Sequence, residues 1–367
     1  MIEVLRWLGF ALGVVLSVGT VIGVMKTFIV PRRSWSLIPA TIGRNGFQLF
    51  HTIASRFRSF DLADRFLGFL APVVIISILA SFLVSFVLAF ALLLLPWGEP
   101  TLGDAIRESG SSVFTLGFVA TNEPVPTALD IIGAATGMIF VALTIGYLPT
   151  LYAEVTKREV LVKQLEGWSG TPSWGPEVLA QYSSADAVDE LPALYRAWDT
   201  WAAQVADSHM KYPVLTHFRL PRARNHWLVA LLAVLDTAAL DIALRPSADH
   251  SCARLLLRQG SNCLRSVAYP MRRVELQFAD SGLSQADFHH GVDHVLAARY
   301  PALASADAAW ESFSRTRAHY APLAYQLMYW TMAAPAPWSG DRAGFPDLID
   351  WPEGVSPADP DQHRRFP

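Results

Sequence analysis

The densest group of titratable side chains in this chain is His289-His290-Gly291-Val292-Asp293-His294. His290 and His294 stand four apart, a spacing that on a helix puts both imidazoles on one face and can hold zinc or nickel. No third ligand is identifiable, and Gly291 weakens a helix there, so surface or capping histidines are the competing reading. The two cysteines, Cys252 and Cys263, fall in a stretch expected in the cytosol, where they stay reduced and behave as small apolar residues. No Gly-x-Gly-x-x-Gly and no Walker loop occurs, and no Ser-His-Asp or paired-carboxylate site follows from spacing, so an enzyme is not expected. The net charge of -3, with no basic stripe in the charged half, argues against a nucleic-acid partner. Arg272-Arg273 and Arg364-Arg365 read as solvated charge.

Chemistry therefore has to be sought in the apolar half. The chain is 52% hydrophobic and only 17% charged, with a mean hydropathy of +0.29. Three runs are long enough to cross a bilayer, which takes about 20 apolar residues. They cover roughly 7–30, 69–97 and 128–152. The first carries only Lys26, is too long for a signal-peptide core and lacks a basic start, so it is expected to be retained. The end of that run and the loop after it carry Lys26, Arg32, Arg33, Arg44, Arg56, Arg58 and Arg65, whereas the segment between the second and third runs carries only Arg107. The basic loop is then cytosolic, the N-terminus outside and the C-terminal part cytosolic, in a multi-pass protein of the cell (inner) membrane. Gly9/Gly13, Gly19/Gly23 and Gly133/Gly137 form small-xxx-small pairs that would let spans pack closely.

Between the second and third spans, Leu95-Pro96-Trp97-Gly98 ends one helix and Thr101 can cap another, with Asp104 three residues on. The short helix expected over 102–114 cannot cross a membrane. It leads into Thr115-Leu116-Gly117-Phe118 and then a turn-rich stretch, Thr121 to Pro126.

Span, short helix, Thr-aliphatic-Gly-aromatic, span is the layout of the potassium-channel pore domain, and residues 69–154 resemble it. The resemblance implies a re-entrant pore helix whose C-terminal end favours a cation. It implies that Thr115, Leu116, Gly117, Phe118 and Val119 form a selectivity filter of backbone carbonyls holding potassium ions, with the Thr115 hydroxyl innermost. It also implies a homotetramer, since one loop supplies a quarter of such a filter. The family's Thr-Val-Gly-Tyr-Gly-Asp reads Thr115-Leu116-Gly117-Phe118-Val119-Ala120 here. Phe118 lacks the hydroxyl that ties that filter to its surroundings. Val119 resists the positive φ that Gly supplies, and Ala120 removes an acid at the mouth, for which Glu123 could partly stand in.

If the third span lines a pore, Gly137, Gly146 and Pro149 are its gate or hinge candidates, with Ile139, Leu143, Tyr147 and Leu148 as constrictions. Pro149 reads equally as the mark of exit from the bilayer. The loop 31–65 mixes Arg32, Arg33, Arg56 and Arg58 with Trp35, Phe47, Phe50, Phe57 and Phe60, as an amphipathic helix on anionic lipid or an ordinary interfacial connector would. From 177 to 333 the pattern is helical. The run 225–244 resembles a fourth span, but its almost uncharged part, 227–240, is only about 14 residues long and Asp236 and Asp241 fall within or just beyond it, so a buried core helix is expected.

The expected organisation is an all-α membrane protein: 1–66, a transmembrane helix and basic loop; 67–158, a pore domain; 159–340, a helical cytosolic domain; 341–367, an irregular tail. The function so implied is a cation channel passing monovalent cations through a tetrameric pore, surrounded by membrane lipid and regulated by the cytosolic domain. The alternative is a non-conducting membrane scaffold or sensor that keeps the fold.

Overall fold

The computed structural model describes residues 2–30, 37–97, 101–119, 121–169, 172–219, 226–269, 283–334 and 338. Arg32, Arg33, Trp35, Ala120, Arg272, Arg273 and the 341–367 tail lie outside them. Every regular element among the described residues is helical, and the chain divides into two compact units. Four helical stretches, Ile2–Ile29, Phe60–Trp97, Pro124–Ser169 and Trp227–Leu244, are long and apolar enough to cross a membrane.

The first unit comprises Met1–Leu49 and Leu70–Ala153. Helix α1 (Ile2–Val24) lies antiparallel to α4 (Leu70–Leu94). The pairing is set by Gly13, where a Cβ would come within 2.9 Å of the Ala89 carbonyl, and by Gly9 against Leu95. The first small-xxx-small pair thus makes a real close approach, whereas no atom lies within 4 Å of a Cβ at Gly19. At one end of the pair Trp7 meets Trp97 edge-on, 5.7 Å between ring centroids. After α1, a π-turn over Met25–Ile29 delivers Phe28 into an aromatic cluster with Phe82, Phe140 and Tyr147. Ser81 and Ser85 donate back to the carbonyls of Ser77 and Ser81, which satisfies two hydroxyls on the uncharged helix. Helix α2 (Leu37–Ala54) straddles the boundary of the units. Its Gly46 presses on Val74, and Ile38 packs on the aromatic cluster.

The second unit comprises Phe50–Phe69 and Glu154–Pro367. It receives helix α3 (Phe60–Leu67) and then a bundle: α7 (Gly175–Ser184), α8 (Leu191–Lys211), α9 (Trp227–Leu244), α10 (Ser251–Ala268), α11 (Gln285–Ala297), α12 (Ala306–Arg317) and α13 (Ala321–Trp330). Helix α9 is its axis. Its most apolar window is 94% buried, against 22%, 39% and 17% for the other three apolar stretches. Protein, not lipid, accounts for that hydrophobicity. Its two acids are enclosed and partnered. Asp241 accepts from the Tyr195 and Tyr300 hydroxyls at 2.9 and 2.6 Å and from Arg245 Nε at 2.8 Å. Asp236 accepts from Arg317 Nε at 3.1 Å and the Tyr320 hydroxyl at 2.7 Å. Cys263 is buried in this core, which pushes its thiol up to about 12 and makes it unreactive.

Candidate ion-conduction loop

Helix α5 (Leu102–Val113) starts where the sequence places it. Thr101 Oγ1 accepts from the Asp104 N–H at 3.2 Å and donates to the Asp104 carboxylate at 2.6 Å. Three serines then fix the helix to its surroundings. Ser109 donates to the Val87 carbonyl of α4 at 2.7 Å. Ser112 donates to Asp130 on α6 (Pro124–Ser169) at 2.5 Å. Ser111 turns its hydroxyl toward the loop that follows.

That loop begins with a Schellman ending. The Leu116 N–H donates to the Ser111 carbonyl at 2.8 Å and the Thr115 N–H to the Ser112 carbonyl at 2.9 Å. Such an ending requires a left-handed residue, usually Gly; here it is Thr115, with φ of 54°. A β-branched residue held there costs on the order of 1–3 kcal/mol, and strain of this kind gathers at functional sites. Two residues on, Gly117 also has positive φ, 68°, and no atom lies within 4 Å of where its Cβ would be. Val119 does not adopt positive φ. Its N–H donates to Ser111 Oγ at 3.1 Å, and Ser111 Oγ lies 3.5 Å from its carbonyl oxygen. Arg107 stands over the Phe118 ring, 5.7 Å from the centroid. Arg107 and Ser111 lie one helical turn apart on α5, so a single face of the helix holds both Phe118 and Val119. Arg107 holds the Phe118 ring and Ser111 the Val119 backbone.

Sequence reasoning missed both tethers. Arg107 was visible only as the lone base between two spans, and Ser111 as an ordinary helix residue. The signal available was their spacing of four on a short helix next to the loop. Substituting Arg107→Ala together with Ser111→Ala is expected to free the loop, with about a tenfold rise in amide exchange at 116–119 and no change at 82–90. Equal exchange in the variant and the parent would show that the two contacts do not hold the loop.

Helix α6 runs unbroken through Gly137, Gly146 and Pro149. Gly137 is a packing residue: a Cβ there would lie 1.9 Å from the Val113 carbonyl oxygen at the end of α5. Gly146 has open space around it. Pro149 cannot donate to the Ile145 carbonyl. One residue on, the Thr150 hydroxyl donates to the Gly146 carbonyl at 3.0 Å. Of the constriction candidates, Ile139 is exposed, while Leu143 packs on the aromatic cluster and Tyr147 meets Phe28 at 4.8 Å.

His290 and His294 hold α11 in place. His294 Nε2 lies 2.5 Å from Glu177 Oε2 on α7, and the Trp174 ring packs 5.2 Å from His294 and 6.4 Å from His290. Among the described residues no group of three His, Cys, Asp or Glu side chains is placed to hold a metal.

No protein-family model, no curated protein and no solved structure matches this chain. The loop must be judged on its own chemistry. Together with α5 it lies in the chain between two helical stretches long and apolar enough to cross a membrane, and its residues 114–118 are exposed in a single chain, Leu116 at 64% and Phe118 at 55%. Large apolar side chains on a strained, tethered loop call for something to cover them.

Proposed function

We propose that the chain is a potassium-channel-like cation channel of the cell membrane, passing monovalent cations through a homotetrameric pore regulated by its helical second unit. The observation that carries this reading is the alternation of backbone hand at Thr115 and Gly117, directly after a short helix that ends between two apolar spans. Alternating hand is how a backbone gathers like groups of successive peptides on one side, as N–H groups do in anion nests. Applied to carbonyls, it gives the one-sided row that replaces an ion's hydration shell. Thr115, Leu116, Gly117 and Phe118 would present those carbonyls, potassium ions would occupy the row, and Val119 would reshape the mouth. The C-terminal end of α5 adds its partial negative charge. The exposed Leu116 and Phe118 would be covered by neighbouring copies and lipid, with the spans packed as the charge pattern expects, N-terminus outside and second unit in the cytosol.

A second reading, a non-conducting scaffold or sensor, is favoured by one observation: Val119 keeps an ordinary φ, so the alternation stops at Gly117. Ion flux into liposomes holding the purified chain separates the two. We expect potassium flux that Gly117→Asp abolishes, because Asp at φ of 68° strains the loop and places a charge beside the row. Equal, abolishable flux of potassium and sodium would keep the channel and reject a potassium-selective filter. No flux from a folded tetramer would favour the scaffold.

A further inference from the structure

The second unit is entered twice from elsewhere in the chain: by the segment that ends in α3, and by the cytosolic continuation of α6 beyond Ala153. Both are gripped by one short stretch, residues 213–219, which makes a 3-10 turn over Pro213–His217.

Arg158, on the α6 continuation, has a side chain only 2% exposed. It donates to the carbonyls of Leu215 at 2.9 Å and Phe218 at 3.1 Å. It also holds Glu159 through two bonds of 2.8 and 2.6 Å, and lies 5.2 Å from the Trp227 ring centroid. Trp201 locks the same turn of helix by donating to the Arg158 carbonyl at 2.7 Å. His209 Nε2 is 3.3 Å from Arg158 Nη1, and burial beside that cation pushes His209 down to about 3. At the other end of the stretch, Arg219 forms an ion pair with Asp64 on α3. Its second guanidinium nitrogen donates to the carbonyls of Thr331 and Met332, just past α13. Both side chains of the Arg219–Asp64 pair are below one-tenth exposed, so solvent does not weaken it as it weakens surface pairs.

The consequence is mechanical. Leu215 and Phe218 offer their carbonyls to Arg158, and the very next residue after Phe218 carries the guanidinium that holds Asp64. The peptide between residues 218 and 219 is planar and stiff, so the Phe218 carbonyl and the Cα of residue 219 belong to one rigid unit. We propose that residues 213–219 are a coupling element that ties the position of α3 to that of the α6 continuation, with Arg158 and Arg219 as its two positioning residues. A ligand, partner or force that shifts α6 beyond residue 154 is then felt at α3, and the reverse holds with equal strength. This linkage does not depend on the ion-conduction reading, and its test uses no ion flux.

The test is amide hydrogen exchange on the full chain in lipid nanodiscs, with three variants. Asp64→Asn removes the α3 charge that pairs with Arg219 and leaves every contact of Arg158 in place. Its expected effect is about tenfold faster exchange over 154–162 as well as over 60–67. Arg158→Lys keeps the charge but loses the fork, and is expected to speed exchange over 60–67 by a similar factor. Glu311→Gln breaks the exposed pair with Arg315 and is expected to change neither segment. Faster exchange confined to the segment that carries the substitution, in both Asp64→Asn and Arg158→Lys, overturns the coupling. Should Arg158→Lys unfold the unit, the Asp64→Asn result over 154–162 decides alone.

Discussion

Replacing Arg317 with Met is expected to lower the stability of the second unit by about 3–5 kcal/mol, the usual cost of breaking a buried ion pair on one side. Arg317 is fully buried, and its charge survives there because Asp236, Tyr325 and Tyr320 outweigh the burial that disfavours it. It donates to Asp236 and, at 2.8 Å, to the Tyr325 hydroxyl, and its guanidinium lies 5.6 Å from the Trp338 ring. Without it, Asp236 loses the guanidinium that faces it and keeps the Tyr320 hydroxyl. A loss of that size is a large part of the roughly 5–15 kcal/mol that holds a domain together. For a unit of this length it corresponds to a fall of roughly 6–20 °C in melting midpoint, at about 2–4 °C per kcal/mol. Tryptophan fluorescence of the full chain in detergent reads it, since Trp198, Trp201 and Trp227 are all buried in this unit. The double variant Arg317→Met with Asp236→Leu is expected to recover most of the loss, because removing both charges also removes the cost of burying them. A single variant that melts within 2 °C or so of the parent would show that the pair is not buried in solution.

The same helix shows what the sequence could and could not say. Asp236 and Asp241 are enough to mark α9 as a poor membrane span, because two unshielded acids in hydrocarbon are expensive. Their partners are invisible in one dimension: Arg317 and Tyr320 lie 81 and 84 positions from Asp236, and Tyr195 and Tyr300 lie 46 and 59 from Asp241. Local rules reach as far as the Thr101 cap and the start of α5, since both partners of that cap sit within four residues. They fail at its end. Thr is among the last residues to expect in a left-handed helix ending, so the Schellman turn at Thr115 comes from tertiary demands on the loop and not from propensity. Pro149 illustrates the opposite case. Local chemistry predicts a kink or a helix end, yet α6 continues for twenty residues to Ser169, carried by the packing of Leu151, Val162 and Leu165. What positions the candidate loop is partly near in sequence, Ser111 eight positions from Val119 and Arg107 eleven from Phe118, and partly distant, the Gly137 contact with Val113 on another helix.

Gly137 gives the sharpest test of that arrangement. The sequence offered it as a hinge; the structure makes it the point where α6 touches the end of α5. A Cβ placed at 137 would lie 1.9 Å from the Val113 oxygen and 2.9 Å from its carbonyl carbon, far inside any real contact. The obstacle is backbone, so no side-chain rotation relieves it. Nor can the end of α5 easily give way, since the adjoining carbonyls of Ser111 and Ser112 are committed to Leu116 and Thr115. Gly137→Ala must therefore drive the two helices apart, at a cost at or above the upper end of the roughly 1–3 kcal/mol typical of overpacking, and Gly137→Val more still. The expected result in detergent is a clear fall in the unfolding midpoint for Ala and little folded protein for Val. Gly19→Ala serves as the control, because no atom lies within 4 Å of that position. If 137 acted only as a hinge, Ala would stiffen α6 and leave the midpoint equal to or above the parent's, since Gly is about 1 kcal/mol worse than Ala inside a helix. The two roles thus predict shifts of opposite sign from one substitution, and the sign of the shift decides whether α5 is seated on α6 where the loop needs it.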